Sequence, residues 1–188
     1  MNNLTGHTCY LIGAIDDAKD YGVNWRKDFS KFLNKIKVGV FDPTAKPSGF
    51  VNETKDSVEF LNKLKEEGDY GTLSKVMKKI VSIDLHYLDL SNFVVAYLDL
   101  DVRLTGSITE ITYAALEKKP IIIICPQGKA KLPNWLYGMC DHRLFFDDIE
   151  SAKQYINKVN NNKIFISAER WRFINYGKVF GNEVHSIL

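Results

Sequence analysis

Four acidic residues have the type and spacing to do chemistry. Glu110 stands in the run "TGSITEITYAALEKKP" (105 to 120), three residues after Ser107 and four after Gly106. Gly106 permits close backbone approach and Ser107 is a plausible helix N-cap, which places Glu110 at the acid position of an S-x-x-E capping box. A carboxylate at the same place could equally face a ligand, and both readings stand on the spacing alone. Asp84 is harder to place at a surface. It lies four residues after Ile80, seven after Met77 and four before Leu88, on the apolar side of a helical run from 72 to 90. A buried carboxylate without partners costs several kcal/mol or takes up a proton, so such a residue is either hydrogen-bonded or lines a site. Asp99 and Asp101 form a D-x-D just beyond an apolar run. A D-x-D can hold a metal in a sugar-nucleotide transferase, but an isolated one is a weak signal and solvated loop acids are favoured.

The other familiar chemistries have no support. There is no G-x-x-x-x-G-K-[ST] and no G-x-G-x-x-G, so neither a phosphate-cradling loop nor a dinucleotide fingerprint is present. His7, His86, His142 and His185 are scattered, without H-E-x-x-H, and no G-x-S-x-G elbow occurs. What remains is a carboxylate site, in which one acid attacks and a second, its pKa pushed up, passes a proton.

The elements that must position these acids alternate. "TCYLIGAI" (8 to 15) reads as a strand, and Trp25, Phe29, Phe32, Leu33 and Ile36 follow at helical spacing. "KVGVFDP" (37 to 43) is a second strand stopped by Pro43, and the turn-rich stretch 44 to 56 after it is a loop. Helices are expected at 57 to 66 and 72 to 90. "FVVAYL" (93 to 98) and "PIIIIC" (120 to 125) are short apolar runs typical of strands covered on both faces, with one helix, about 107 to 118, between them. "HRLFF" (142 to 146) and a helix at 148 to 158 complete the series. Alternation of this kind predicts an α/β fold, a Rossmann-like or flavodoxin-like open parallel sheet of about five strands with helices on both faces. Ligands bind beyond the carboxyl ends of such strands, which selects the loops 13 to 24, 42 to 56 and 99 to 107.

With 188 residues and 45% apolar content, the chain is expected to form one domain over 1 to 160, with an aromatic-rich extension, 161 to 188, packed on that domain or on a neighbouring subunit. Lysine plus arginine number 25 against 23 acids, so the formal charge of +2 provides no field for nucleic acid or an anionic membrane. The polar opening "MNNLTGHTCY" lacks the order of a secretory signal and no run has the length of a membrane span. A cytoplasmic protein is expected, with Cys9, Cys125 and Cys140 reduced.

"CYLIGAID", "DLHYLDLSNFVVAYLDLD" and "GSITEITYAALEKKPIIII" resemble the nucleoside 2-deoxyribosyltransferase superfamily, which includes nucleotide N-glycosidases. Trp25 and "VFDP" at 40 to 43 look closer to a divergent branch. The matched stretches lie within 9 to 125, best from 84 to 125. The resemblance implies that Glu110 is the nucleophile that attacks C1′ of the sugar, that Tyr10 hydrogen-bonds it, and that Asp84 assists protonation or orientation of the base. It also implies a pocket lined by Gly13, Asp16 and Asp17 of the first loop and by Gly106 and Ser107 beside the sugar, with Trp25 either stacking on a base or packing in the core. The usual acid shortly before the Gly-Ser is replaced by "RLT" (103 to 105); Asp99 or Asp101 is a candidate substitute. The expected activity is transfer of 2-deoxyribose between bases, with hydrolysis of a nucleoside or its 5′-monophosphate as the nearest rival, and a non-catalytic nucleotide-binding module, with Glu110 only a cap, as the competing class. A structural or DNA-associated role is the least favoured reading. The chemistry calls for no cofactor and no metal; the implied partners are a small-molecule nucleoside or nucleotide and further copies of the chain. A single unbroken helix over 72 to 90 would carry Asp84 about 18 Å from the helix start, well below the strand ends, so a break near residues 80 to 83 is expected.

Overall fold

The computed structural model describes residues 2 to 163 together with Trp171, Phe173 and Ile174. Most of the extension expected at 161 to 188 therefore lies outside the described residues.

Five strands form one sheet: β1 (Thr8–Gly13), β2 (Gly39–Phe41), β3 (Phe93–Tyr97), β4 (Ile121–Ile124) and β5 (Phe145–Phe146). All pairings are parallel and the order is β2-β1-β3-β4-β5, the flavodoxin-like arrangement. β3 and β4 read as unbroken apolar runs because both their faces are covered. On one face, α1 (Val23–Lys35) and α6 (Ile149–Asn160) bury Phe29, Leu33, Ile156 and Val159 against Cys9, Leu11 and Val95. Trp171 and Ile174 join this layer, and Phe173 packs against it. On the other, α3 (Tyr70–Leu90), α4 (Thr105–Leu116) and the short α5 (Asn134–Met139) pack Leu88, Ile111 and Leu136 against Tyr10, Ile12 and Ala96. α5 is an element that the apolar pattern does not announce. α2 (Lys55–Glu66) lies against α3.

The period of two along β1 decides what faces the site. Cys9 and Leu11 point into the α1/α6 layer, whereas Tyr10 and Ile12 point toward α3 and α4. The strand order reverses between β1 and β3, so the loops leaving these two strands diverge and open a crevice at the carboxyl edge.

The expected break in the third helix does not occur: α3 runs uninterrupted for 21 residues. Its length removes the need for one. Twenty-one residues span about 31 Å, while the five residues of β3 rise only about 16 Å. α3 enters β3 at the amino edge of the sheet, so its first half overhangs the carboxyl edge, and Asp84, six residues before the helix end, sits beside the strands at the depth of the crevice.

Candidate active site

The crevice is a cavity of about 390 Å³, within the range of small-molecule sites. Its lining brings together Tyr10 from β1, Gly13, Asp16 and Asp17 from the loop after β1, Asp84 from α3, and Gly106, Ser107 and Glu110 from α4.

Glu110 and Tyr10 form its floor. The Tyr10 hydroxyl donates to Glu110 Oε1 at 2.7 Å. Burial pushes the Glu110 carboxyl up to about 7; the Tyr10 hydrogen bond, Arg26 and Lys46 hold it down, and the nearby Glu53 works with burial. The side chain is hemmed in by protein yet only half-buried from solvent, because it lies at the bottom of an open pocket. Burial also raises Tyr10 well above the usual phenol range, with Glu110 and Asp84 adding to the rise, so its hydroxyl stays a donor.

The capping-box reading of Glu110 is overturned. α4 starts at Thr105 with Leu104 at the N-cap and no side-chain cap, so Ser107 is already inside the first turn and Glu110 stands a turn further on. Its carboxylate is held by a tyrosine of another element. Ser107 is buried. A Cβ on Gly106 would meet open space, so among the described residues this glycine's smallness serves no contact.

Asp84 is buried among charges that the sequence left unpaired. Its Oδ1 lies 2.8 Å from Lys46 Nζ, and the same ammonium lies 2.9 Å from Glu53 Oε1. This Oδ1 makes the ion pair without a hydrogen bond of good geometry. Lys46 and Glu53 both come from the loop after β2, which folds back on itself. Thr44 N–H and hydroxyl donate to Asp42, Lys46 N–H donates to Asn52 Oδ1, and Glu53 N–H donates to Pro43 O. Burial pushes Glu53 up to about 7, the Asp84 charge adds to this, and Lys46 opposes it. Asp84 is also raised by burial, against the pull of Lys46.

Arg26 fixes the wall on the β1 side. Completely buried, it donates to Leu11 O, Gly22 O and Gly13 O and lies 3.8 Å from Asp42. Gly22 sits at φ 68°, and a Cβ there would come within 2.1 Å of Arg26 Nη1, so only glycine closes this turn. At the mouth, Arg103 Nε and Nη2 donate to the two Asp17 oxygens at 2.8 and 2.9 Å, joining the loop after β1 to that after β3.

Three expected site residues lie elsewhere. Asp99 and Asp101 are outside the pocket lining, where Gln127 Nε2 donates to both. Trp25 is in the α1/α6 layer, stacked on Tyr97 at 5.3 Å, on the face of the sheet opposite Tyr10. It packs in the core. Conversely, Lys46, Glu53 and Arg26 were not anticipated. Arg26 had a legible signal: three residues before Phe29 and seven before Leu33, it is a charge on an apolar helical stripe, as Asp84 is. Lys46 and Glu53 sit in an irregular loop with no periodicity to mark them. Among the described residues, no group of His, Cys, Asp and Glu is arranged to hold a metal ion, and no helix is long and apolar enough to cross a membrane.

No protein-family model and no curated protein matches the chain. Among solved structures, it is similar to a 2-deoxyribosyltransferase from the psychrotolerant bacterium Bacillus psychrosaccharolyticus. The TM-score is 0.53 and the identity 14%, over 82% of this chain and 90% of that one. The two proteins share a fold.

Proposed function

We propose that the protein cleaves the N-glycosidic bond of a 2′-deoxynucleoside through a covalent glycosyl-glutamate and passes the sugar to another base. The observation that carries this is the Glu110 carboxylate, accepting a hydrogen bond from Tyr10 at the floor of a crevice at the strand-order reversal. The sequence resemblance and the shared fold point to the same enzymes.

Glu110 attacks C1′ as the C1′–N bond breaks and the electron pair passes to the departing base. The flanking carboxylate stabilises the oxocarbenium-like centre and then closes on it, as in retaining glycoside hydrolysis. In the second half-reaction the nitrogen of an incoming base takes C1′ and Glu110 leaves. The Tyr10 hydroxyl favours the ionised Glu110, offsetting part of the rise that burial imposes, and fixes which oxygen faces the sugar. A neutral nucleoside is favoured over a 5′-monophosphate, because Asp17 occupies Arg103 and a second acid, Asp16, lines the same pocket. Hydrolysis is the second reading, supported by the solvent access that Glu110 retains.

The test is chromatography of bases released from a panel of 2′-deoxynucleosides and their 5′-monophosphates, with and without an acceptor base. Release is expected from the nucleosides, with exchange when acceptor is added, and Glu110→Gln is expected to bind but not turn over. Release that survives Glu110→Gln, or none from any substrate, refutes the proposal.

A further inference from the structure

We propose that Glu53, on the loop after β2, is the proton donor to the departing base, and that Lys46 and Asp84 are positioning residues that keep the proton on it. This rests on the N-glycosidic reading of the pocket. Departure of a base requires a proton at a ring nitrogen as the C1′–N electron pair arrives there, so a donor must face the cavity beside Glu110. Two carboxyls other than Glu110 share one ammonium at that place. Lys46 Nζ lies 2.8 Å from Asp84 and 2.9 Å from Glu53, and its side chain is 1% exposed. Two ionised carboxylates on one buried cation leave a net negative charge out of water, and a single shared proton removes it.

Exposure and position in the fold say which carboxyl passes that proton on. Both line the cavity, but the Glu53 side chain is 19% exposed and that of Asp84 9%. Asp84, the more enclosed, pairs with the ammonium at Oδ1, and Glu53 accepts the ammonium's hydrogen bond at Oε1. Burial raises both carboxyls, so the pair shares a proton, and Glu53, the more exposed of the two, is the one that presents it to the cavity. The groups facing Glu53 are Lys46 on its own loop, Asp84 on α3, Glu110 on α4, Tyr10 on β1 and Arg26 on α1. Glu53 is also the movable partner, since it sits on a loop held by turn hydrogen bonds, whereas Asp84 is fixed in the middle of a long helix.

In the first half-reaction the Glu110 Oε–C1′ bond forms, the C1′–N bond breaks, and the Glu53 proton moves to the base nitrogen, leaving Glu53 as a carboxylate beside Lys46. In the second, the acceptor base returns a proton to Glu53 while its nitrogen bonds C1′ and the C1′–O bond breaks. Donor and acceptor bases thus use one acid in both directions.

The experiment compares a 2′-deoxynucleoside with a nitrophenyl 2-deoxyriboside, whose leaving group departs without a proton, for wild type, Glu53→Gln and Asp84→Asn. Glu53→Gln is expected to lose at least about 100-fold in kcat/KM on the nucleoside and little on the nitrophenyl sugar. Asp84→Asn is expected to lose less on the nucleoside and to displace the alkaline limb of its pH profile. In wild type that limb is present with the nucleoside and absent with the nitrophenyl sugar. Retained turnover of the nitrophenyl sugar by Glu53→Gln also shows that the variant folds. Full activity of Glu53→Gln on the nucleoside, or an equal loss on both substrates, overturns the assignment of Glu53 while leaving Glu110 standing. Failure of the wild type on both substrates overturns the glycosidic reading itself.

Discussion

Replacing Glu110 by glutamine should make the protein more stable, and more so at alkaline pH. The carboxyl has its pKa raised from 4.5 to about 7 in the folded state. Between those values the folded protein holds a proton that the unfolded chain has lost, so stability is fully present below about pH 4.5 and declines as pH rises through the folded value. A shift of that size corresponds to at most about 3.4 kcal/mol, at about 1.4 kcal/mol per unit. Water reaches the carboxyl through the open pocket, which reduces the expected figure to about 1–2 kcal/mol. Glutamine keeps the shape and can still accept the Tyr10 hydroxyl. Urea denaturation of both proteins should therefore show Glu110→Gln more stable by about 1–2 kcal/mol at pH 8, with the gap narrowing to about 0.5 kcal/mol at pH 5. A variant that is less stable than wild type by the same amount at both pH values would refute the reasoning, because it would make Glu110 a structural hydrogen-bonding group rather than an acid held out of water.

Tyr10→Phe removes the hydrogen bond that favours ionised Glu110, so kcat/KM should fall about 10- to 100-fold and the acidic limb of its pH profile should move upward. Lys46→Met leaves Glu53 and Asp84 without their shared cation; the loss should be about 3–5 kcal/mol at pH 8 and smaller at pH 5, where the carboxyls take up protons, as measured by denaturation at both pH values. Asp17→Asn frees Arg103, and the ratio of kcat/KM for a 5′-monophosphate to that for its nucleoside should rise about tenfold.

The sheet was legible because "FVVAYL" and "PIIIIC" are too short for helices and too apolar for exposed strands, and the helices between such runs require parallel pairing. Two of the buried charges carried a different signal. Asp84 is a charge on an apolar stripe, and the cost of burying it points to a partner or a site. Arg26 met the same criterion and went unread because the helix was judged by its aromatic residues. Glu110 lies on the expected helix, but that helix starts earlier than its pattern implies: S-x-x-E imitates a cap, while the backbone begins the helix at Thr105 without one. Lys46 and Glu53 could not be found by pattern, since they stand seven positions apart in an irregular loop and come together through the turn that Asn52 and Pro43 hold. The D-x-D misled for the converse reason: proximity in sequence to a strand end does not aim a side chain, and Gln127 draws both acids away from the crevice.

The central claim is the bond between Glu110 and the sugar. Intact-protein mass measured after rapid acid quench of the enzyme with a 2′-deoxynucleoside, followed by peptide mapping, tests it directly. A deoxyribosyl adduct on the peptide containing Glu110, lost on adding acceptor base and absent in Glu110→Ala, is the expected result. Base release with no adduct at any quench time, or an adduct that persists in Glu110→Ala, would contradict the account.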